Sequence, residues 1–187
     1  MKQLAFISLI VIAAIIQGCG GGGDGGTKSK DGMKLVSNDI KPDGKIDKEL
    51  TPYEGANESP HLAWSQIPTG TKRYVFIMDD ISVDPAYVHW NFYTDNKNIT
   101  KLERDSSDTQ KMPADVIEML NSDGNANYIG PFPPSGETHT YQFCIYALDT
   151  TPNDIDVTSS FTNKSFKAKY KNTIIDSDCF KAYYKRP

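Results

Sequence analysis

From Met33 onward the chain is built of short apolar and aromatic runs broken by proline and glycine. Arg73-Tyr74-Val75-Phe76-Ile77-Met78 is continuous, β-branched and aromatic, which predicts a strand buried on both faces. It runs into Asp79-Asp80, and an acidic pair at a strand end reads first as a solvated turn. Tyr87-Val88-His89-Trp90-Asn91-Phe92-Tyr93 alternates. Strict alternation puts Val88, Trp90 and Phe92 on the core face and Tyr87, His89, Asn91 and Tyr93 on the other, where His89 meets a cleft or solvent. Tyr141-Gln142-Phe143-Cys144-Ile145-Tyr146-Ala147-Leu148 is a further strand. Shorter strands are expected at Met33–Ser37, within Ser59–Trp64 and at Cys179–Tyr184. Two stretches have helical spacing. Ala114–Leu120 predicts a short helix ended by Asp123-Gly124. Phe161–Ile175 carries Phe166, Tyr170 and Ile174 at fourfold spacing, with Lys164, Lys167, Lys169 and Lys171 as its wet face. Without an internal repeat, this pattern predicts one mostly β, sandwich-like domain with one or two peripheral helices.

The first residues are not part of that domain. Lys2 precedes an apolar run, Leu4 to Ile16, which is short for a transmembrane helix and reads as a secretory signal. Ile16-Gln17-Gly18-Cys19 follows and looks like a bacterial lipoprotein signal, which implies cleavage before Cys19 and lipidation of that residue. Gly20 to Gly26 is almost pure glycine, a tether that continues to Gly32. The expected division is therefore a signal peptide at 1–18, a lipidated cysteine and tether at 19–32, and the domain at 33–187. The location that follows is the bacterial cell envelope, lipid-anchored to a membrane on its extracytoplasmic side.

With Cys19 taken by lipid, two cysteines remain of three. Cys144 lies in a strand and Cys179 near the C-terminal one. Outside the cytoplasm they can bridge if those strands are neighbours, or remain buried thiols. The formal charge is −4 and the pI about 5.3. That balance lacks the basic excess of a nucleic-acid binder.

The candidate chemistry centres on Gly130-Pro131-Phe132-Pro133-Pro134-Ser135-Gly136, a stiff, bent loop that fits neither a helix nor a central strand. The chain turns extended just beyond it, so His139 and Tyr141, two apart, share one face beneath the loop. An imidazole and a phenol placed there can hold a small anion or polar head group.

Several segments together carry a family likeness. Ser59-Pro60-x-Leu62-x-Trp64, the acid at Asp80, Val88-His89-Trp90, the Gly130-Pro131-x-Pro133-Pro134-x-Gly136-x-x-His139-x-Tyr141 stretch and Tyr146-Ala147-Leu148-Asp149 occur in the order found in the phosphatidylethanolamine-binding protein (PEBP) family. The chain resembles its bacterial Raf kinase inhibitor-like branch from Met33 to the C-terminus. The resemblance implies a Greek-key β-sandwich of antiparallel sheets and a small anion pocket at one end. By position that pocket would use Asp80, His89, Gly130, Pro131, Pro133, Pro134, His139 and Tyr141, and would accept phosphate-like groups or phospholipid head groups. Some members regulate kinases or other protein partners. The chain departs from the family's Asp-Pro-Asp-Ala-Pro at Ile81 and Ser82, which alters one acidic wall unless Asp84 takes its place.

Histidines near their ordinary pKa and a tyrosine hydroxyl supply donors for an anion, and a carboxylate can hold one imidazole in a chosen tautomer. The expected partner is thus a small anionic or phosphorylated ligand, taken more tightly below neutral pH and without a cofactor. Two other classes remain open. Two histidines and a carboxylate are also an enzyme's or a metal's donor set, although no His-Glu-x-x-His or Gly-x-Ser-x-Gly segment occurs. A membrane-held domain with an aromatic rim is also a protein-interaction module.

Overall fold

The computed structural model describes residues 32–107 and 111–187. Cys19 and the expected signal and tether lie outside the described residues, apart from Gly32 at the tether's end. Two antiparallel sheets form a sandwich. The smaller has the order β1 (Lys34–Val36), β2 (Leu62–Ser65), β5 (Lys101–Leu102). In the larger, β6 (Val116–Glu118), β4 (Tyr87–Thr94), β3 (Arg73–Asp80), β7 (Thr138–Leu148) and β8 (Ile174–Lys185) are neighbours in that order. The mostly β architecture is the one expected from the short, punctuated runs.

β3 is buried along its whole length because it is central and covered on both sides. Tyr74, Phe76 and Met78 point between the sheets, into a core with Trp64, Trp90, Phe92 and Phe143. Phe76 stacks on Phe92 with ring centroids 5.0 Å apart and meets Trp90 edge-on at 5.4 Å. Each such ring, fully buried, contributes roughly 1.5–3 kcal/mol. Val75 and Ile77 point the other way, into a second core under α1 (Asn163–Tyr170), the single α-helix among the described residues, with Tyr146, Phe166 and Tyr170. On that face Cys144 stands opposite Cys179 in the β7–β8 register, and the two are joined as a disulfide.

The structure corrects both expected helices. Ala114–Leu120 is not helical; Val116–Glu118 forms the edge strand β6, with Tyr93 opposite Ile117 and Thr94 opposite Val116. Val116 and Ile117 are β-branched, and β4 offers an open edge. The second helix is shorter than its spacing predicts. Thr162 caps it by accepting from the Ser165 amide, and Phe166 and Tyr170 face the core as expected. The chain turns after Tyr170, and Ile174, opposite Leu148, opens β8 instead of continuing the helix. Thr173, Ile174 and Ile175 are β-branched in succession, which favours the strand.

Asp79 and Asp80 form no solvated turn. Both lie inside β3 and are buried, at 1% and 5% exposure. Burial of a carboxylate requires partners, and both have them. Asp79 Oδ2 accepts from the Asn163 amide at 2.8 Å, and its Oδ1 accepts from Asn163 Nδ2 at 2.6 Å. The partners of Asp80 belong to the site.

Candidate functional site

A cavity of about 390 Å³ opens at the end of the sandwich where β3 passes into β4 and the proline loop crosses the head of β7. Its deepest polar contact joins two strands. His139, on β7, is 8% exposed, and its Nδ1 lies 2.6 Å from Asp80 Oδ2 on β3. Asp80 is held in turn by the Ser82 amide, which donates to Oδ1 at 2.8 Å. Nε2 of His139 lies 3.3 Å from Glu137 Oε2. Burial alone would lower the His139 pKa, but the hydrogen bonds and charges of Asp80 and Glu137 together outweigh it and raise it above the ordinary value. With a carboxylate on each nitrogen, His139 is the histidine of the site that favours the cationic form.

His89 reaches the same cavity by a route that alternation does not foresee. The β3–β4 register pairs Met78 with Trp90 but Asp79 with Val88, so His89 is an extra, unpaired residue. A bulge of this kind re-aims the side chain that it carries. It brings Tyr87 and His89 round to the face of Asp80 and Tyr141, while Asn91 stays on the other side, as the cavity lining and the His89–Tyr141 ring contact at 5.2 Å attest. Ile129 clamps the bulge from across the cleft. Its amide donates to the His89 carbonyl at 3.0 Å, and its carbonyl lies 2.7 Å from His89 Nδ1. A carbonyl only accepts, so Nδ1 carries the proton. Burial lowers the pKa of His89 against the opposing effects of that carbonyl and of Asp80. The ring is neutral, and Nε2 is left as an acceptor. The two histidines are thus pushed in opposite directions, His139 toward the cation and His89 toward the neutral base.

The proline loop forms the outer wall. Gly130 donates its amide to Asn57 Oδ1 at 2.8 Å, and a Cβ on it would lie 2.0 Å from the Leu50 carbonyl oxygen, so only glycine fits. Gly130, Pro133 and Pro134 line the cavity, as does Phe132, whose ring is 52% exposed. The C-terminus pins the loop. Arg186 lies over the rings of Tyr53 and Phe132 at 4.3 and 4.2 Å, and its Nη1 donates to the Pro133 carbonyl at 3.2 Å. The Gly136 amide donates to the Arg186 carbonyl at 3.0 Å.

Of the eight expected pocket residues, Asp80, His89, Gly130, Pro133, Pro134 and His139 line the cavity. Pro131 is buried within the loop and shapes it from behind. Tyr141 is fully buried as the wall behind His89, with its hydroxyl unpartnered. Burial and the charge of Asp80 raise its pKa, so it stays a phenol. Sequence reasoning did not assign Tyr87, Asp123, Val83, Ile129 and Phe132 to the lining, where the structure puts them. Tyr87 sat on the polar face next to His89, which was a usable signal. Asp123 reads from the sequence as a turn residue.

The departure at Ile81 and Ser82 has a structural outcome. Ile81 donates its amide to the Thr140 carbonyl at 3.0 Å, and Ser82 Oγ accepts from the Thr140 amide at 2.8 Å. Both residues tie the loop to β7. Asp84 is exposed and does not line the cavity; Asp123 supplies the second acidic group instead. Among the described residues, the lining holds no lysine or arginine. Among the described residues, no group of three or more His, Cys, Asp or Glu side chains is placed to hold a metal ion. None of the described helices is long and apolar enough to cross a membrane.

The chain is a two-sheet antiparallel β-sandwich with a His–Asp pair in a cavity at one end. Within it, residues 36–185 match the sequence model described as phosphatidylethanolamine-binding protein. The chain belongs to the phosphatidylethanolamine-binding protein family. Among its relatives, the UPF0098 protein YbhB of Escherichia coli is 33% identical over 147 residues, covering 74% of this chain and 92% of that protein. A Mycobacterium tuberculosis protein named "Putative lipoprotein LppC" is 36% identical over 99 residues, 51% of this chain and 45% of its own. The crystal structure of E. coli YbcL, described as a member of the mammalian PEBP family, superposes with a TM-score of 0.72 at 27% identity. That alignment covers 83% of this chain and 99% of YbcL.

The Ser59 segment that contributed to the resemblance supports the fold rather than the pocket. Ser59 Oγ accepts from the Ser107 amide at 2.9 Å, the Ser59 carbonyl accepts from the Asp105 amide at 2.8 Å, and Leu62 and Trp64 are buried in the core.

Proposed function

We propose that this protein is a lipid-anchored receptor of the bacterial envelope whose end pocket takes a small phosphate-bearing ligand, either free or as a phospholipid head group. The observation that carries this reading is the 2.6 Å Asp80–His139 pair at the base of a cavity of about 390 Å³, with neutral His89 beside it. His139 presents a cationic donor to an anionic oxygen. His89 Nε2 and Asp123 are acceptors, so they suit a protonated phosphate oxygen or an ammonium on the same ligand. A compact ligand that is both acceptor and donor fits this lining better than a bare dianion. Exposed Val83 and Phe132 at the mouth suit the apolar part of an amphiphile. The anchor is inferred from the signal-like segment ending at Cys19, together with one relative bearing a lipoprotein name.

Calorimetric titration of the full-length protein with inorganic phosphate and with phosphoethanolamine, at about pH 6 and pH 8, tests the pocket. Binding is expected to be tighter at the lower pH and lost in His139→Ala. Equal affinity in protein carrying both His89→Ala and His139→Ala removes these residues from the account. Mass spectrometry of the mature N-terminus tests the anchor, which an unmodified Cys19 would exclude.

A further inference from the structure

We infer that Glu137 is a built-in stand-in for the ligand's anionic group, and that it must leave His139 before an anion can bind. This rests on the pocket reading above and assigns the residue that sets its affinity.

The two nitrogens of His139 are held very differently. Nδ1 faces Asp80 at 2.6 Å, with that side chain only 7% exposed. Nε2 faces Glu137 at 3.3 Å, with that side chain 59% exposed. The first contact is short and buried; the second is long and wet. An exposed ion pair of this kind contributes little and is easily exchanged. The root of Glu137 is nevertheless fixed. Its amide donates to the Pro134 carbonyl at 3.0 Å, and its carbonyl accepts from the Arg186 amide at 3.1 Å. Gly136, with φ of +82°, makes the turn that sets this position. Only the side chain is free to swing. Glu137 and His139 are two apart on extended chain, so the carboxylate returns to the same face whenever the pocket is empty.

The surroundings sharpen the effect. Besides Glu137, the ionisable groups around His139 are Asp80 from β3, His89 and Tyr87 from β4, Asp123 from the facing loop and Tyr184, opposite His139 on β8, while the Arg186 guanidinium lies at the rim over the Phe132 ring. Among the described lining residues, His139 is the group that can turn a cationic N–H toward an anion, and Glu137 both occupies that N–H and repels what would replace it. Displacement moves a carboxylate into water and puts the ligand's oxygen on Nε2.

The test compares full-length wild type, Glu137→Gln and Glu137→Ala by calorimetric titration with inorganic phosphate at low and high salt. NMR of the His139 ring gives a second readout. Both variants are expected to bind phosphate about fivefold more tightly than wild type at low salt, with the gap narrowing at high salt. In wild type, phosphate is expected to change the His139 ring signals while the Glu137 side chain loses its contact. Phosphate binding to wild type with equal or weaker affinity in both variants overturns the inference and leaves the pocket reading standing. Absence of phosphate binding in all three proteins overturns the pocket reading and the inference together.

Discussion

Asp79 and Asp80 are consecutive in β3 yet serve opposite faces of the large sheet, Asp79 gripping Asn163 at the head of α1 and Asp80 gripping His139 in the pocket. Alternation along a strand makes this unavoidable. It means that one short segment fixes both the helix and the site, and that the two can be perturbed separately.

Removing the Asn163 side chain should test the helix side. Tyr146 donates its hydroxyl to Asn163 Oδ1 at 2.7 Å, so Asn163 joins a buried phenol to a buried carboxylate. Asn163→Ala leaves both short of a partner and is expected to cost about 2–4 kcal/mol in urea denaturation. Phosphate affinity should stay within about twofold, since Asp80 is untouched; a large loss of binding would show that the two faces are coupled.

Three buried groups, Asp79, His139 and His89, make the stability depend on pH in different directions. Burial raises the Asp79 pKa despite the bonds from Asn163, so its contribution is present below the ordinary carboxylate pKa and is lost as pH rises through the folded value. Asp79→Asn should remove that slope. His139, also raised, contributes stability below its ordinary pKa near 6.5 and loses it as pH climbs through the folded value. His89 is lowered, so its contribution is present above about 6.5 and lost as pH falls toward the folded value. In Asp80→Asn, NMR titration should find the His139 pKa moved down, and phosphate affinity at neutral pH should fall about tenfold. An unmoved His139 titration would mean that Asp80 does not hold the proton there.

The long central strands β3, β4 and β7 were legible because each carries its own signal. Continuous β-branched and aromatic residues marked β3, and β7 was bounded by the Gly136 turn. The pocket was legible in its types: the loop, His139 and Asp80 were all singled out. The bulge at His89 was not, because register is decided between strands and leaves no mark in either alone. Nor was β6, whose three residues become a strand only against the open edge of β4. Asp123 was missed for a similar reason. It reaches the cavity through the loop between β6 and the proline segment, and that loop's course is set by Asn121, whose side chain accepts from the Asp123 and Asn125 amides at 2.9 and 3.1 Å.

Gly130→Ala should damage the pocket without touching its chemistry. A Cβ there meets the Leu50 carbonyl oxygen at 2.0 Å and Asn57 Oδ1 at 2.8 Å, so backbone must move. The neighbouring residue, Ile129, is the one that clamps His89. The expected outcome is a loss of about 2–3 kcal/mol of stability and weakened phosphate binding together. Full stability with normal binding would mean that the loop accommodates the methyl group and that its wall is softer than its prolines imply.

Breaking the disulfide should separate stability from binding in the opposite way. Cys144 and Cys179 are 35 residues apart and lie directly opposite in the β7–β8 ladder. Closing a loop of that length restricts the unfolded chain by about 3–4 kcal/mol. Cys144 is five residues along β7 from His139, about 17 Å at the rise of an extended strand. A double Cys144→Ala/Cys179→Ala protein should therefore unfold at a clearly lower urea concentration and keep its phosphate affinity. The native ladder survives the change, because the hydrogen bonds that pair β7 with β8 on either side of the bridge do not involve sulfur. A loss of binding in protein that is still folded would mean that the bridge holds the strand end carrying His139 in place, and that the pocket depends on tension carried along β7.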